Sequence, residues 1–427
     1  MNRPGKLKFS VIELLFDKFI LLENFLDDPK TIPTFLRASV LPKDLNWHEH
    51  ARKKRSQCFN NPFIRNMGPI TFTEELEASL NNLPHLTGKI PTLLATGAYI
   101  PLRGWNVRPA EKQTFLKGVQ SSLEPFVEIL PFGVFRICLR LRLHMPRGIP
   151  VDRLIQLILA FSPNPPSSLK SEIVRLNMTR NGVDYSCSVA QVFENISEAL
   201  QRECVGTCSQ PKVTHSSFRS GIWIEKVRPW PSLVFHASEL RALLLQDVRW
   251  KEVNKIELEK YQKSAWGIYD PDAVLFGRSR ALWSFRKPRI KHKRVWLYSA
   301  MMGPWRLIGA QDVLFAFYKR KLEEIYMEVF MARRTLRSMT KHAFTIRFFR
   351  PEFIFALDKA AQTQTHMAGP ERRCYHALAE HYNMPARESD LRNRVRDLVN
   401  EADQWKIPLA APMARAFSWA KKFVQVE

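Results

Sequence analysis

The sequence predicts an α+β fold, and its clearest signals lie between Phe132 and Val227. Phe135 to His144 alternates apolar and polar residues, which is the period of a strand with one buried face. Val151 to Phe161 carries apolar residues at spacings of three and four, as an amphipathic helix does. Asn181-Gly182 separates two further alternating segments and favours a two-residue type I′ hairpin, since both positions of that turn need positive φ. Together these signals indicate strands and helices around one core.

The elements of this region follow the order strand, helix, strand, strand, helix, strand. Glu172 to Arg180 and Val183 to Cys187 alternate on either side of the turn. Ser188 can cap a second helix, defined by the apolar residues of Val189 to Leu200, and Gly221 to Val227 supplies a last strand. This is the βαββαβ order of a ferredoxin-like domain, in which two helices cover one face of an antiparallel sheet.

The second face of a ferredoxin-like sheet is open, and here the sequence makes that face basic. The polar positions of the first strand point away from the helices, and they are arginines with Cys138 and His144 among them. Like charges on one face repel each other unless an anion, an acidic partner or solvent neutralises them. We therefore predict that this face holds phosphates through Arg136, Arg140, Arg142 and Arg175.

The chain has 427 residues, a length that suggests two or three domains. Pro229 and Pro231 mark the predicted end of the ferredoxin-like domain, which would span residues 131–230. An N-terminal α/β region, residues 1–130, would precede it, and a basic, mostly helical domain, residues 231–427, would follow. Helical spacing in that last region occurs in Ser238 to Leu245, Val253 to Tyr261, Val313 to Arg337, Pro370 to Tyr382 and Ser389 to Trp405.

Charge composition points to a polyanionic partner. The chain has 65 lysines and arginines against 41 acids, a formal net charge of +24, and a pI near 10.0. Such an excess predicts binding to nucleic acid, RNA or DNA. The alternatives are acidic protein partners or an anionic membrane surface, for which the chain would serve as a structural adaptor.

Cysteine usage and hydropathy predict a cytoplasmic protein. Six cysteines in a chain of this length fit reduced thiols, and no cofactor or metal site is expected. The apolar run Phe9 to Phe25 is interrupted by charges such as Glu13 and Asp17 before it reaches the length of a membrane span. No transmembrane segment is therefore expected.

The densest basic segment is Arg278 to Arg294. Cations that neutralise phosphates stand there beside aromatic rings that could stack on bases, a combination that single-stranded nucleic acid needs. A lysine-protected edge strand or loop with its aromatics in a core would have the same composition. The predicted contacts are Arg278, Arg280, Trp283, Arg286, Lys287, Arg289, Lys291, Lys293, Arg294 and Trp296.

Arg337 and His342 have the R-x4-H spacing, which over these six residues resembles the HEPN-type ribonucleases. The resemblance implies a nuclease or toxin in which His342 acts as acid or base and Arg337 binds the transition-state phosphate. Motifs of ATPases, dinucleotide enzymes, zincins and serine hydrolases are absent from the sequence. The leading prediction is thus a non-catalytic nucleic-acid-binding subunit of a larger complex, with the ribonuclease as the enzymatic alternative.

Overall fold

A computed structural model describes residues 5–22, 98–101, 105–109, 117–129, 134–163, 174–180, 183–203, 213–265, 273–277, 279–284, 291–331, 346, 353–354 and 369–404. The chain divides into two compact units. The first comprises residues 1–314 and 364–382, and the second comprises residues 315–363 and 383–427.

Two sheets lie in the first unit. A seven-stranded mixed sheet has the order β2-β4-β5-β1-β8-β10-β9, in which β10 runs parallel to β8 and every other pair is antiparallel. A three-stranded antiparallel sheet has the order β3-β6-β7. The strands are β1 (Lys8–Leu22), β2 (Ala98–Pro101), β3 (Trp105–Pro109), β4 (Gln120–Ile129), β5 (Val134–Pro150), β6 (Leu176–Arg180), β7 (Val183–Cys187), β8 (Val213–Arg228), β9 (Ala273–Gly277) and β10 (Arg280–Ser284).

The described α-helices all come after β5 in the chain. A short 3₁₀ turn, Trp250–Glu252, separates two of them. No helix in the described part of the chain is long and apolar enough to cross a membrane. The α-helices are α1 (Val151–Phe161), α2 (Val189–Glu203), α3 (Leu233–Leu245), α4 (Lys255–Ser264), α5 (Lys291–Met331), α6 (Gly369–His381) and α7 (Met384–Gln404).

Strand β1 occupies the centre of the large sheet. It pairs with β5 on one side and β8 on the other over almost its whole length. Its apolar residues are buried on both faces, so its sequence reads as a nearly continuous apolar run, as expected of a central strand. The charges Glu13 and Asp17 that interrupt this run are themselves buried.

The βαββαβ order of elements is present, but a ferredoxin-like arrangement is not confirmed. Strand β1 separates β5 from β8, which the ferredoxin-like order would place side by side. The hairpin of β6 and β7 pairs with β3 in the small sheet, and Arg180 opposite Val183 leaves two residues for its turn. The large sheet takes β1, β8 and β10 from all three regions that the sequence suggested as domains.

One face of the large sheet packs against α1 and α3. The register places Leu14 beside Leu141 of β5 and Ile222 of β8, so the apolar positions of three strands form continuous rows. Leu154 of α1 and Leu240 of α3 are buried in the same cluster. The sequence predicted helices on this face, which is the apolar side of β5.

The opposite face is covered as well, by α5. Trp305 of α5 is fully buried, and its indole N–H donates a hydrogen bond to Asp17 of β1 at 2.9 Å. Gly309 lies one turn further along, where a Cβ would overlap the ring of Phe19. The large sheet therefore lies between two helical layers.

The second unit is built on the end of α5 and on α7. Tyr318 packs edge-on against Phe353 with ring centroids 5.0 Å apart, and the Tyr326 hydroxyl donates to the Arg394 carbonyl at 3.0 Å. Ion pairs four residues apart, such as Arg392 with Glu388, line the outer face of α7. Acids therefore dilute the arginines of α7, and this helix surface has mixed charge.

Candidate nucleic-acid interface

The predicted basic face of β5 is closed where Arg136 and Arg140 lie. Arg136 Nε donates to Asp17 Oδ1 at 2.8 Å, and both side chains are 0% exposed. Arg140 donates to both carboxylate oxygens of Glu13, at 3.1 and 2.6 Å, and this pair is buried too. The expectation that Arg136 and Arg140 meet phosphates is corrected by this burial: β1 supplies their counter-charges, and helix α5 covers the face.

The buried polar network continues into α5 and β8. Arg219 Nη2 lies 3.2 Å from Asp312 Oδ2, which also accepts the hydroxyl of Ser217 at 2.7 Å. The Arg219 guanidinium lies 4.2 Å from the centre of the Tyr382 ring. Burial raises the pKa of Tyr382 to about 12, against the opposing effect of the Arg219 charge. Paired in this way, these charges hold the layers together and are closed to a polyanion.

The β10 residues predicted to contact nucleic acid, Arg280 and Trp283, are also turned away from solvent. Trp283 is fully buried and packs edge-on against Trp305, with ring centroids 5.3 Å apart, so its ring cannot stack on a base. Arg280 donates to the Leu245 carbonyl at 2.6 Å, and burial lowers its pKa. The alternative in which the aromatics of this segment belong to a core describes Trp283 better, although β10 lies between β8 and β9 and is not an edge strand.

The other residues predicted to contact nucleic acid or to act in catalysis lie in several different parts of the chain. Arg175 is exposed and immediately precedes β6. The positions of Lys291, Lys293, Arg294 and Trp296 belong to the first turns of α5, where only the backbone is described. Outside the described residues lie Arg278, Arg286, Lys287, Arg289, Arg337 and His342.

A different set of cations comes together at one end of the large sheet. The register places Lys8 of β1 beside Pro150 of β5 and Arg228 of β8, and it places His144 of β5 opposite Gln120 of β4. Helix α1 begins at this end, directly after Pro150. We call the exposed basic side chains gathered here the basic end: Lys6, Lys8, Lys117, Arg142, His144, Arg147, Arg153, Lys226, Arg228 and Lys251.

A large bulge in β5 shapes the basic end. His144 pairs with Val11 and Ile149 pairs with Phe9, so residues 145–148 of β5 stand opposite Ser10 alone. Gly148 adopts a φ of +68°, and a Cβ at this position would come within 3.3 Å of the Lys8 Cβ. Bulges at a sheet rim redirect side chains, and this one leaves Arg147 exposed.

Acids neutralise only part of this charge. Asp152 accepts the indole N–H of Trp250 at 2.6 Å and the Lys251 ammonium at 3.0 Å. The Trp250 hydrogen bond lowers the pKa of Asp152, and Lys251 and Lys6 lower it further. Arg142 pairs with Glu225 at 2.7 Å.

The rest of the basic end has no such compensation among the described residues. Lys8, Lys226 and Arg228 form no ion pair with any carboxylate in that part of the chain. Unpaired surface cations collected at one place produce a positive potential that attracts anions. The basic end is therefore the strongest candidate for a polyanion site in the described structure.

Of the basic end, the sequence singled out only Arg142 and His144. Lys6, Lys8, Lys226 and Arg228 are scattered along the chain and form no dense run. The pairing of β1 with both β5 and β8 collects them. The sequence signal for this pairing is the length of the apolar run Phe9 to Phe25.

The comparisons with known proteins give no match: no protein-family model, no curated protein and no solved structure is significantly similar to this chain. The interpretation of the basic end rests on its geometry and charge.

Proposed function

We propose that this chain binds nucleic acid, with the phosphate backbone lying across the basic end. The observation that carries the proposal is the register of β1, which places Lys8 beside Arg228 and near the bulge with Arg147. Three inter-strand spacings separate β4 from β8. The exposed cations at this end of the sheet therefore span about 14 Å. A track of this kind suits several successive phosphates.

The proposed mechanism is neutralisation of phosphates with release of counterions. Lysine and arginine contacts to the backbone give affinity that depends steeply on salt and little on sequence. Arginines can donate two parallel hydrogen bonds to one phosphate, whereas lysines act as point charges. Because these groups bind without performing chemistry, the proposed role is that of a non-catalytic subunit, and a larger complex would supply other activities.

The test is fluorescence anisotropy with labelled single-stranded RNA, single-stranded DNA and duplex DNA, titrated from low to physiological salt. The variant replaces Lys8 and Arg228 with glutamine. We expect wild type to bind at physiological salt, and we expect the variant to bind every oligonucleotide more weakly. The slope of log K against log salt should fall by roughly one to two, since two phosphate contacts are removed.

The matched control replaces Lys319 and Arg320 with glutamine. This change removes the same net charge from an exposed part of α5, where the two cations pair with Glu323 and Glu324. Its affinity and salt slope should stay close to those of wild type. An equal loss of affinity in both variants would mean that the basic end contributes only through the net charge of the chain. Wild-type binding that vanishes at physiological salt would overturn the proposal in favour of an acidic protein or membrane partner.

A further inference from the structure

Helix α3 exposes two apolar side chains in its first turn. Val234 is 75% exposed and Phe235 is 50% exposed, although α3 buries Leu240 and Leu243 completely. The helix start is fixed by Ser232, whose hydroxyl accepts the backbone N–H of Val234 at 3.3 Å. The exposed pair therefore stands on a capped first turn, which a kink at His236 separates from the rest of α3.

The exposed pair lies beside the basic end. The backbone N–H of Ser232 donates to His236 Nδ1, so the other ring nitrogen carries the proton and donates to the Gly5 carbonyl at 3.4 Å. This contact joins the residue before Lys6 to the residue after Phe235. Arg228 ends the strand that leads into α3.

A further cation approaches from α4. Gln262 Nε2 donates to the Leu233 carbonyl at 2.8 Å, which places the end of α4 against the start of α3. Lys263, the next residue, is exposed. Exposed cations thus flank the start of α3 from three parts of the chain: Lys6 before β1, Arg228 at the end of β8 and Lys263 near the end of α4.

We propose that Phe235 stacks on an unpaired base of a single-stranded nucleic acid whose phosphates lie on the basic end. This inference rests on the proposed function and narrows its ligand to single strands. An exposed aromatic ring beside backbone-binding cations is the arrangement that single-strand binding uses. A duplex buries the faces of its bases, so a ring on the protein surface can stack only on an unpaired one.

A lipid surface is the competing partner for exposed apolar residues among cations. Interfacial helices present a long apolar face to the bilayer. Here the apolar residues beyond the first turn of α3 belong to the core, including Ala237 and Leu240. Two adjacent side chains offer little area for insertion, whereas one ring suffices for stacking. The geometry favours the base.

The experiment compares Phe235→Leu, Phe235→Tyr and Val234→Ala in the full chain. Each is titrated with a single-stranded oligonucleotide, a duplex of the same sequence, and vesicles of anionic phospholipid. We expect Phe235→Leu to lose at least about fivefold in affinity for the single strand, which is the lower end of what stacking on one base supplies. Binding to the duplex should be unchanged. Phe235→Tyr keeps an aromatic face and should bind like wild type, as should Val234→Ala.

The outcomes separate this inference from the proposed function. Retained single-strand affinity in Phe235→Leu, or an equal loss on single strand and duplex, overturns stacking and leaves the basic end as the site. Failure of wild type to bind either oligonucleotide overturns both proposals. Vesicle binding that Val234→Ala weakens and Phe235→Leu preserves would assign the pair to lipid and also overturn stacking.

Discussion

Arg136 on β5 and Asp17 on β1 form an ion pair that solvent does not reach, with Arg136 Nε 2.8 Å from Asp17 Oδ1. The second carboxylate oxygen of Asp17 accepts the indole N–H of Trp305 at 2.9 Å. One carboxylate therefore joins two strands of the sheet to the helix that covers them. A buried charge is tolerated only when it is paired and hydrogen-bonded, and Asp17 meets both conditions.

Asp17→Ala should lower the free energy of unfolding by about 3 to 5 kcal/mol, because it leaves the Arg136 charge buried without a partner. Urea unfolding followed by circular dichroism measures the change. The double variant Asp17→Ala with Arg136→Leu removes both charges and should recover much of the loss. A single variant within about 1 kcal/mol of wild type would show that the pair is not buried in solution.

Gly309→Ala tests the packing of α5 on the sheet. Alanine is favoured over glycine within a helix by about 1 kcal/mol, so an unobstructed substitution should stabilise. Here the added Cβ would overlap the Phe19 ring, and we expect a net loss of about 1 to 3 kcal/mol in the free energy of unfolding.

The control for this substitution is Gly369→Ala at the start of α6, where an added Cβ meets no atom within 4 Å. That variant should unfold at the same urea concentration as wild type or at a slightly higher one, because alanine is the better helix residue and nothing obstructs it. Phe19→Leu in the Gly309→Ala background should restore part of the stability by opening space. Stabilisation by Gly309→Ala alone would contradict the covered face.

The local elements were predictable from the sequence because their signals are local. Helix α1 has the bounds that its apolar spacing indicated, Val151 to Phe161. Ser188 caps α2 as expected: its hydroxyl accepts the Gln191 N–H at 3.3 Å, and Gln191 accepts the Ser188 N–H in return. Neither feature depends on distant parts of the chain.

The arrangement of the sheet could not be obtained in the same way. Strand β1 pairs with strands more than a hundred residues away, and no local pattern records that register. Alternation in β5 separated its two faces correctly, but it could not show that α5 covers the polar one. A signal was present: Glu13 and Asp17 have the same spacing of four as Arg136 and Arg140, as two paired strands require.

Arg140 and Arg142 stand two residues apart on β5 but should behave differently. Arg142 is half exposed, so Arg142→Gln should change the free energy of unfolding by less than about 1 kcal/mol. It should lower affinity for all oligonucleotides alike and reduce the salt slope by about one. Arg140→Gln leaves Glu13 buried without its partner and should destabilise by about 3 to 5 kcal/mol.

Urea unfolding and anisotropy on the same two preparations measure both quantities for this pair. The comparison is internally controlled because each variant removes one positive charge from the same strand. Loss of binding by a stably folded Arg140→Gln protein, with Arg142→Gln unaffected, would return the binding site to the face beneath α5.

Glu239 of α3 should make stability depend on pH. Its side chain is buried, and Oε1 accepts the Leu7 backbone N–H at 3.3 Å. Burial raises its pKa above the ordinary 4.5, although the Leu7 hydrogen bond and the charges of His236 and Lys6 oppose this. The folded state therefore favours the protonated carboxyl, and its stabilising contribution is complete below the ordinary pKa and lost as pH rises through the raised one.

Glu239→Gln keeps an acceptor for Leu7 and does not ionise, so it should be more stable than wild type at neutral pH. The difference should shrink as pH falls and disappear below the ordinary pKa of 4.5. Urea unfolding of both proteins at intervals between about pH 4 and pH 7 measures it. Glu259→Gln, at an exposed position of α4, is the control, and its free energy of unfolding should change with pH as that of wild type does. If the stability of Glu239→Gln changed with pH as that of wild type does, ionisation of Glu239 would cost no stability. The contact between α3 and the start of β1 would then be open to water.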